Sequence, residues 1–142
     1  MSSPDTSIDN EVVSFERRDN LGRTPLFCAA QSGNLDMIRF LHEELGADIE
    51  ARDNRGATPL HIASYNGYLD VVRYILNCDA DANSLDDDGN TPIILAAGNG
   101  HMEVAKLLID LGADTKVVSI EGFTLYHYAA IFNDTELAVM LE

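Results

Sequence analysis

Four histidines, two cysteines and a run of aspartates are the side chains of this 142-residue chain that could carry chemistry. His61 and His127 are the fourth residues of the words Thr58-Pro59-Leu60-His61 and Thr124-Leu125-Tyr126-His127, His101 falls in a turn, and His42 lies near a helix end. No two of them share a helix face at i, i+4 with a carboxylate between, the spacing a zinc hydrolase needs, so no metal site is expected. Cys28 and Cys78 stand fifty positions apart without a Cys-x-x-Cys pair and read as reduced core thiols. Asp86-Asp87-Asp88-Gly89 looks like part of a calcium loop. With Gly89 at the sixth place, however, Ser84 would be first and Leu95 twelfth, where acidic ligands are required. The run reads instead as an exposed acidic turn. No glycine-rich phosphate loop and no Gly-x-Ser-x-Gly elbow occurs, so the chain is expected to have no catalytic residues and no cofactor, and not to be an enzyme.

Composition narrows the partners. Nine Lys plus Arg against 24 Asp plus Glu give a net charge of −15, which opposes the phosphate neutralisation behind nucleic-acid affinity and disfavours anionic membrane surfaces. The longest apolar run, Pro92 to Ala97, is far short of the ~20 residues of a membrane helix. The first residues, Met1-Ser2-Ser3-Pro4-Asp5-Thr6, carry neither a basic segment nor an apolar stretch behind it, so a cytoplasmic or nuclear location is expected.

The elements that must position any site follow from a repeat. Gly22, Gly56, Gly89 and Gly122 are spaced by 34, 33 and 33 residues, and Thr24, Thr58, Thr91 and Thr124 keep the same phase. Each Thr opens a helix-start word: TPLFCAA, TPLHIAS, TPIILAA and TLYHYAA. Thr is a good N-cap and Pro suits the first helical position, so each word predicts a short first helix. Gly33, Gly67 and Gly100 then permit the left-handed exit, and an acidic residue (Asp36, Asp70, Glu103) starts a second, amphipathic helix. Two of these second helices run into Gly46 and Gly112; the middle one has Asp79, which is expected to be left-handed and mildly strained. Asn or Asp pairs before Gly predict tight hairpins between helix pairs. Unit one carries one extra residue before Gly46, which predicts a bulged helix end.

These words and the period resemble the ankyrin repeat, whose T-P-L-H-x-A signature is complete at Thr58 to Ala63. The resemblance spans residues 14 to 142 and implies a mainly α solenoid of helix-turn-helix units joined by β-hairpin loops, with units at about 19–52, 53–85, 86–118 and 119–142. Residues 1–13 are expected to be a flexible polar tail. The resemblance also implies that His61 and His127 tie neighbouring hairpins together. Asn83 stands in a segment similar to those that carry hydroxylated Asn in such repeats, a hairpin hydrogen-bonding role being the simpler expectation. Unit four ends within its second helix, and Ile131, Phe132, Leu137, Val139 and Met140 are expected to form a face that receives a further unit, a partner or a second copy.

The implied function is protein binding, as an adaptor, scaffold or inhibitor. The alternative is an ankyrin segment of a larger enzyme, channel or transcription regulator, serving as its targeting or autoinhibitory arm. The positions that the resemblance places on the concave face are Leu21 and Arg23; Arg52, Asn54, Arg55, Tyr65 and Asn66; Asp87, Asp88 and Asn90; and Ile120, Phe123, Ile131 and Phe132. Arg and Tyr beside acidic and apolar units imply a partner with a basic or mixed basic and apolar surface.

Overall fold

The computed structural model describes residues 14–142; the expected tail at residues 1–13 lies outside the described residues. After one 3-10 turn at Ser14–Glu16 the chain forms four helix pairs: α1 (Pro25–Gln31) with α2 (Leu35–Arg39), α3 (Pro59–Asn66) with α4 (Leu69–Asn77), α5 (Pro92–Gly98) with α6 (Met102–Asp110), and α7 (Leu125–Ile131) with α8 (Thr135–Met140). Successive pairs stack in register, the first helices in one layer and the second helices in another. Each unit buries its apolar stripe against its neighbours: Leu26, Leu60 and Ile93 of the first layer meet Ile38, Val72, Ile75 and Leu108 of the second, all fully buried. At about 1.5–3 kcal/mol per buried aliphatic side chain, this shared core supplies the main driving force for stacking.

Thr begins each first helix in an extended conformation, and the side chains of Thr24, Thr58 and Thr124 accept the N–H of Phe27, His61 and His127. Thr91 departs from the expected cap: its hydroxyl is buried without a partner, and nothing in the structure explains it. Asp79 is left-handed at φ 64°, as expected, and Asn133 takes the same region at φ 54° where the other units use Gly. The extra residue of unit one is absorbed as a π-helical turn, Phe40–Glu44, continuing α2.

The connecting fingers are tight turns, and no strand forms among the described residues; one isolated antiparallel bridge pairs Val118 with Thr124. Each finger is closed by a pair of backbone bonds, such as the Asp19 N–H to the Arg23 carbonyl and the Gly22 N–H to the Asp19 carbonyl, and side chains reinforce it. Oδ1 of Asp19 accepts the N–H of Leu21 and Arg23, Asp53 does the same for Arg55 and Ala57, and Asp86 for Asp88 and Asn90. In finger four Ser119 replaces the aspartate, and its hydroxyl accepts the Phe123 N–H.

Candidate protein-binding face

The fingers are sewn together by long-range polar contacts. Arg18 donates to the Gly22 carbonyl of its own finger and to the Arg52 carbonyl of the next. Arg52, one unit on, donates to the carbonyls of Gly56 and Leu85 at 2.6 Å each, and to the Ser84 hydroxyl. His61 is fully buried. Its Nδ1 accepts the Thr58 N–H at 3.1 Å, which leaves the proton on Nε2, and Nε2–H donates to the Asn90 carbonyl of finger three at 2.9 Å. Burial pushes its pKa below the ordinary imidazole value. His127 repeats the Thr contact at 2.9 Å, while its Nε2 has no acceptor among the described residues.

A second ladder joins the helix ends. Glu16 accepts the Asp48 N–H, Glu50 the Asp81 N–H, and Asn83 Oδ1 the Asp114 N–H at 2.7 Å. Asn83 Nδ2 also donates to the Gly112 carbonyl, so both ends of its amide are engaged between units.

Beneath fingers one to three lies a groove of about 400 Å³ that gathers Leu21, Arg23, Arg55, Tyr65, Asp88 and Asn90 from the expected surface. Gln31, which the resemblance also places on this face, lines it too, and Ile62 and Leu95 form a floor that the sequence did not assign. Their signal was available: they hold the fifth place of the T-P-L-x-x word, two residues past the third-place Leu60 and Ile93 that turn into the core. A smaller cleft of about 240 Å³ continues the groove between fingers three and four, sharing Asn90 and Leu95 and adding Gly98, Ile120, Glu121 and Tyr128.

Several expected contact residues are occupied within the fold. Arg23 pairs with Asp19 at 2.8 Å and donates to Gln31, and the Arg23 bonds hold the Asp19 carboxyl below the usual range. Arg52 is spent on the finger seam described above. Asn54 donates to the Asn20 carbonyl, Asn66 to the Gln31 carbonyl, and Asp87 packs over Gly56. Phe123 stacks edge-on against His127 and leans on Tyr128, and Phe132 packs over Gly100 of unit three. Leu137 is fully buried and Met140 half-buried, so neither forms the open end expected of them. Of the expected face Ile131, Phe132 and Val139 stay exposed, and unit four also leaves open Tyr126, His127 and Ala130, whose counterparts Leu60, His61 and Ser64 are buried. Leu21, Arg55, Tyr65, Asp88 and Ile120 remain exposed in the grooves.

On the opposite layer His42 Nδ1 meets the Tyr74 hydroxyl at 2.9 Å, Tyr74 donates to Glu43 at 2.8 Å, and Cys78 Sγ lies 3.8 Å from the same His42 nitrogen. Burial, aided by the Glu43 bond, raises the Tyr74 phenol well above its ordinary range. A thiol, an imidazole and a carboxylate converge here, but the carboxylate engages the phenol and not the imidazole. The ring therefore lacks the orienting contact on its second nitrogen that an activated Cys–His pair uses. Neither cysteine is in the core as expected; both are half-buried and free. Among the described residues no group of three or more His, Cys, Asp or Glu is arranged to hold a metal, and no helix is long and apolar enough to cross a membrane.

Stacked helix pairs, turn fingers at one edge and a groove below them define an α-helical repeat solenoid that presents a preformed face. The chain belongs to the ankyrin repeat family: the family model for ankyrin repeats (3 copies) matches residues 8–86 and 74–141. A search of curated proteins returned no match to the chain. Ankyrin repeats are generally protein-protein interaction modules and typically non-catalytic.

Proposed function

We propose that this protein is a non-catalytic recognition module, an adaptor, scaffold or inhibitor, that holds an extended segment of another protein in the groove beneath its fingers. The observation that carries this reading is the cluster of Arg55, Tyr65 and Asp88. These three are exposed in one groove, and among the described residues none has a hydrogen-bond or ion-pair partner for its side chain. Aromatic and guanidinium groups at the centre of a preformed surface are the usual carriers of binding energy, and a rigid scaffold saves the ordering entropy that a loop would lose.

Affinity capture with wild type beside a Tyr65→Ala, Asp88→Lys double variant and a Val139→Lys variant on α8 tests it. Proteins retained by wild type and by Val139→Lys but lost with the double variant are the expected result. Partners that ignore the double variant and are lost with Val139→Lys would overturn it.

A second reading, self-association through unit four, is favoured by the unused Nε2 of His127 beside exposed Tyr126 and Ala130. It predicts a molar mass that rises with concentration in light scattering and stays monomeric in Ala130→Arg.

A further inference from the structure

The seams between neighbouring fingers are unequal. At the first, the Asn54 N–H donates to the Leu21 carbonyl at 2.9 Å, Asn54 covers Gly22, and Arg18 bridges. At the second, the Asp87 N–H donates to the Arg55 carbonyl at 3.0 Å, Asp87 covers Gly56, and both Arg52 and His61 bridge. At the third, every one of these devices is replaced. Leu85 stands where Arg18 and Arg52 stood, Ile94 where His61 stood, and Ile120 where Asn54 and Asp87 stood. Nothing lies over Gly89, and among the described residues no backbone bond joins finger four to finger three.

The unsewn seam is the cleft of about 240 Å³ that continues the main groove. Gly98 opens it from the helix side: Gln31, Tyr65 and Ile131 hold the equivalent places, and Gly98 alone among the four has no side chain. Tyr128 forms the neighbouring wall, its hydroxyl 3.5 Å from where a Cβ on Gly98 would sit. The apolar surface of the cleft comes from half-buried Leu95 and exposed Ile120 above the buried Ile94, and Asn90, Asn99 and Ser119 supply polar groups around it. Asp88 in the adjoining groove and Glu121 on the cleft are exposed, and among the described residues neither carboxylate has a hydrogen-bond or ion-pair partner.

We propose that this cleft is the specificity pocket of the groove, taking one large apolar side chain of an extended partner segment whose neighbouring Lys or Arg pairs with Asp88 and Glu121. The inference rests on the groove being a binding face. The uncovered apolar surface of Leu95 and Ile120 recovers transfer energy only from an apolar guest. Two unpaired carboxylates beside that guest lose hydration when the segment lies down, and only a cation compensates them. The cleft is below the range of pockets for drug-sized ligands and suits a single side chain.

Selection of random peptides of about a dozen residues on the full chain, followed by fluorescence polarisation of the enriched sequences, tests the proposal. The expected peptides pair a Leu, Ile, Met or Phe with a nearby Lys or Arg. They lose at least about tenfold in affinity against Gly98→Leu, which fills the cleft. Gly98 lies within α5, in ordinary helical backbone, so this substitution is compatible with the fold, and an unchanged circular dichroism melt checks it. Against Glu121→Lys, changing the basic residue of the peptide to Glu restores binding. Peptides that bind Gly98→Leu as tightly as wild type, or that lack the apolar-basic pair, overturn the proposal. If those peptides still lose affinity with Arg55→Ala and Tyr65→Ala, the groove survives as a binding face and only the cleft is excluded. An absence of enriched peptides, or binding indifferent to all of these variants, rejects both.

Discussion

At the scale of single residues, the two left-handed positions without glycine are departures from local preference that the fold overrides. Asp79 at φ 64° and Asn133 at φ 54° stand where sister units place Gly, and an L side chain there costs about 1 kcal/mol. Glycine relieves that strain but gains freedom in the unfolded chain, so Asp79→Gly and Asn133→Gly should each stabilise by a net of about 0.5 kcal/mol. Asp79→Ala should destabilise instead, and urea melts of the three variants check the reversal of sign. His61 gives a pH signature. Burial lowers its folded pKa below the unfolded value near 6.5, so the unfolded chain binds the proton more readily. Stability is therefore complete above the unfolded pKa and falls as pH drops from about 6.5 toward the depressed folded value. Chemical denaturation between about pH 7 and pH 5 should show this loss, and His61→Gln, less stable at neutral pH, should show a flatter slope.

Among elements, the helix pairs are individually too short to persist and depend on what holds each pair to the next. On the finger side unit four has lost the arginine and histidine bridges, and its second helix is held by Lys106. That ammonium reaches Glu136, Asp134 at 3.0 Å and Glu103 at 3.4 Å, and its bond to Glu136, together with Asp134, raises its pKa. Lys106→Met should cost about 1 kcal/mol and act locally. Amide exchange in α8 and α7 should accelerate while α3 and α4 are unchanged, a pattern that uniform acceleration across all units would contradict.

For the whole molecule, a net charge of −15 on 142 residues makes self-repulsion a standing destabilisation. Raising monovalent salt from about 0.01 M to 0.3 M shortens the Debye length from about 30 Å to about 6 Å, and the thermal midpoint should rise. The same screening should weaken binding of basic peptides to the groove. A midpoint that falls with salt would show that local ion pairs such as Lys106 with Glu136 outweigh the global field.

What the sequence determined by itself was the period and hence the architecture. Thr24, Thr58, Thr91 and Thr124 in phase, with left-handed exits after each helix, leave few alternatives to stacked helix pairs, because backbone capping and apolar periodicity are local properties. It also placed the bulge of unit one and the strain at Asp79. Tertiary structure alone decided which exposed positions are free, because that depends on atoms 29 to 34 residues away. Arg52 reads like Arg55 in the sequence, yet its guanidinium is consumed by Leu85 and Ser84 while that of Arg55 is left in the groove. Leu137 reads as open apolar surface until the core takes it up, whereas Phe132 rests one edge on Gly100 and stays exposed as the sequence implied. The third seam was equally hidden: Leu85, Ile94 and Gly98 are unremarkable one at a time, and become a cleft only when stacking places them opposite Ile120 and Tyr128.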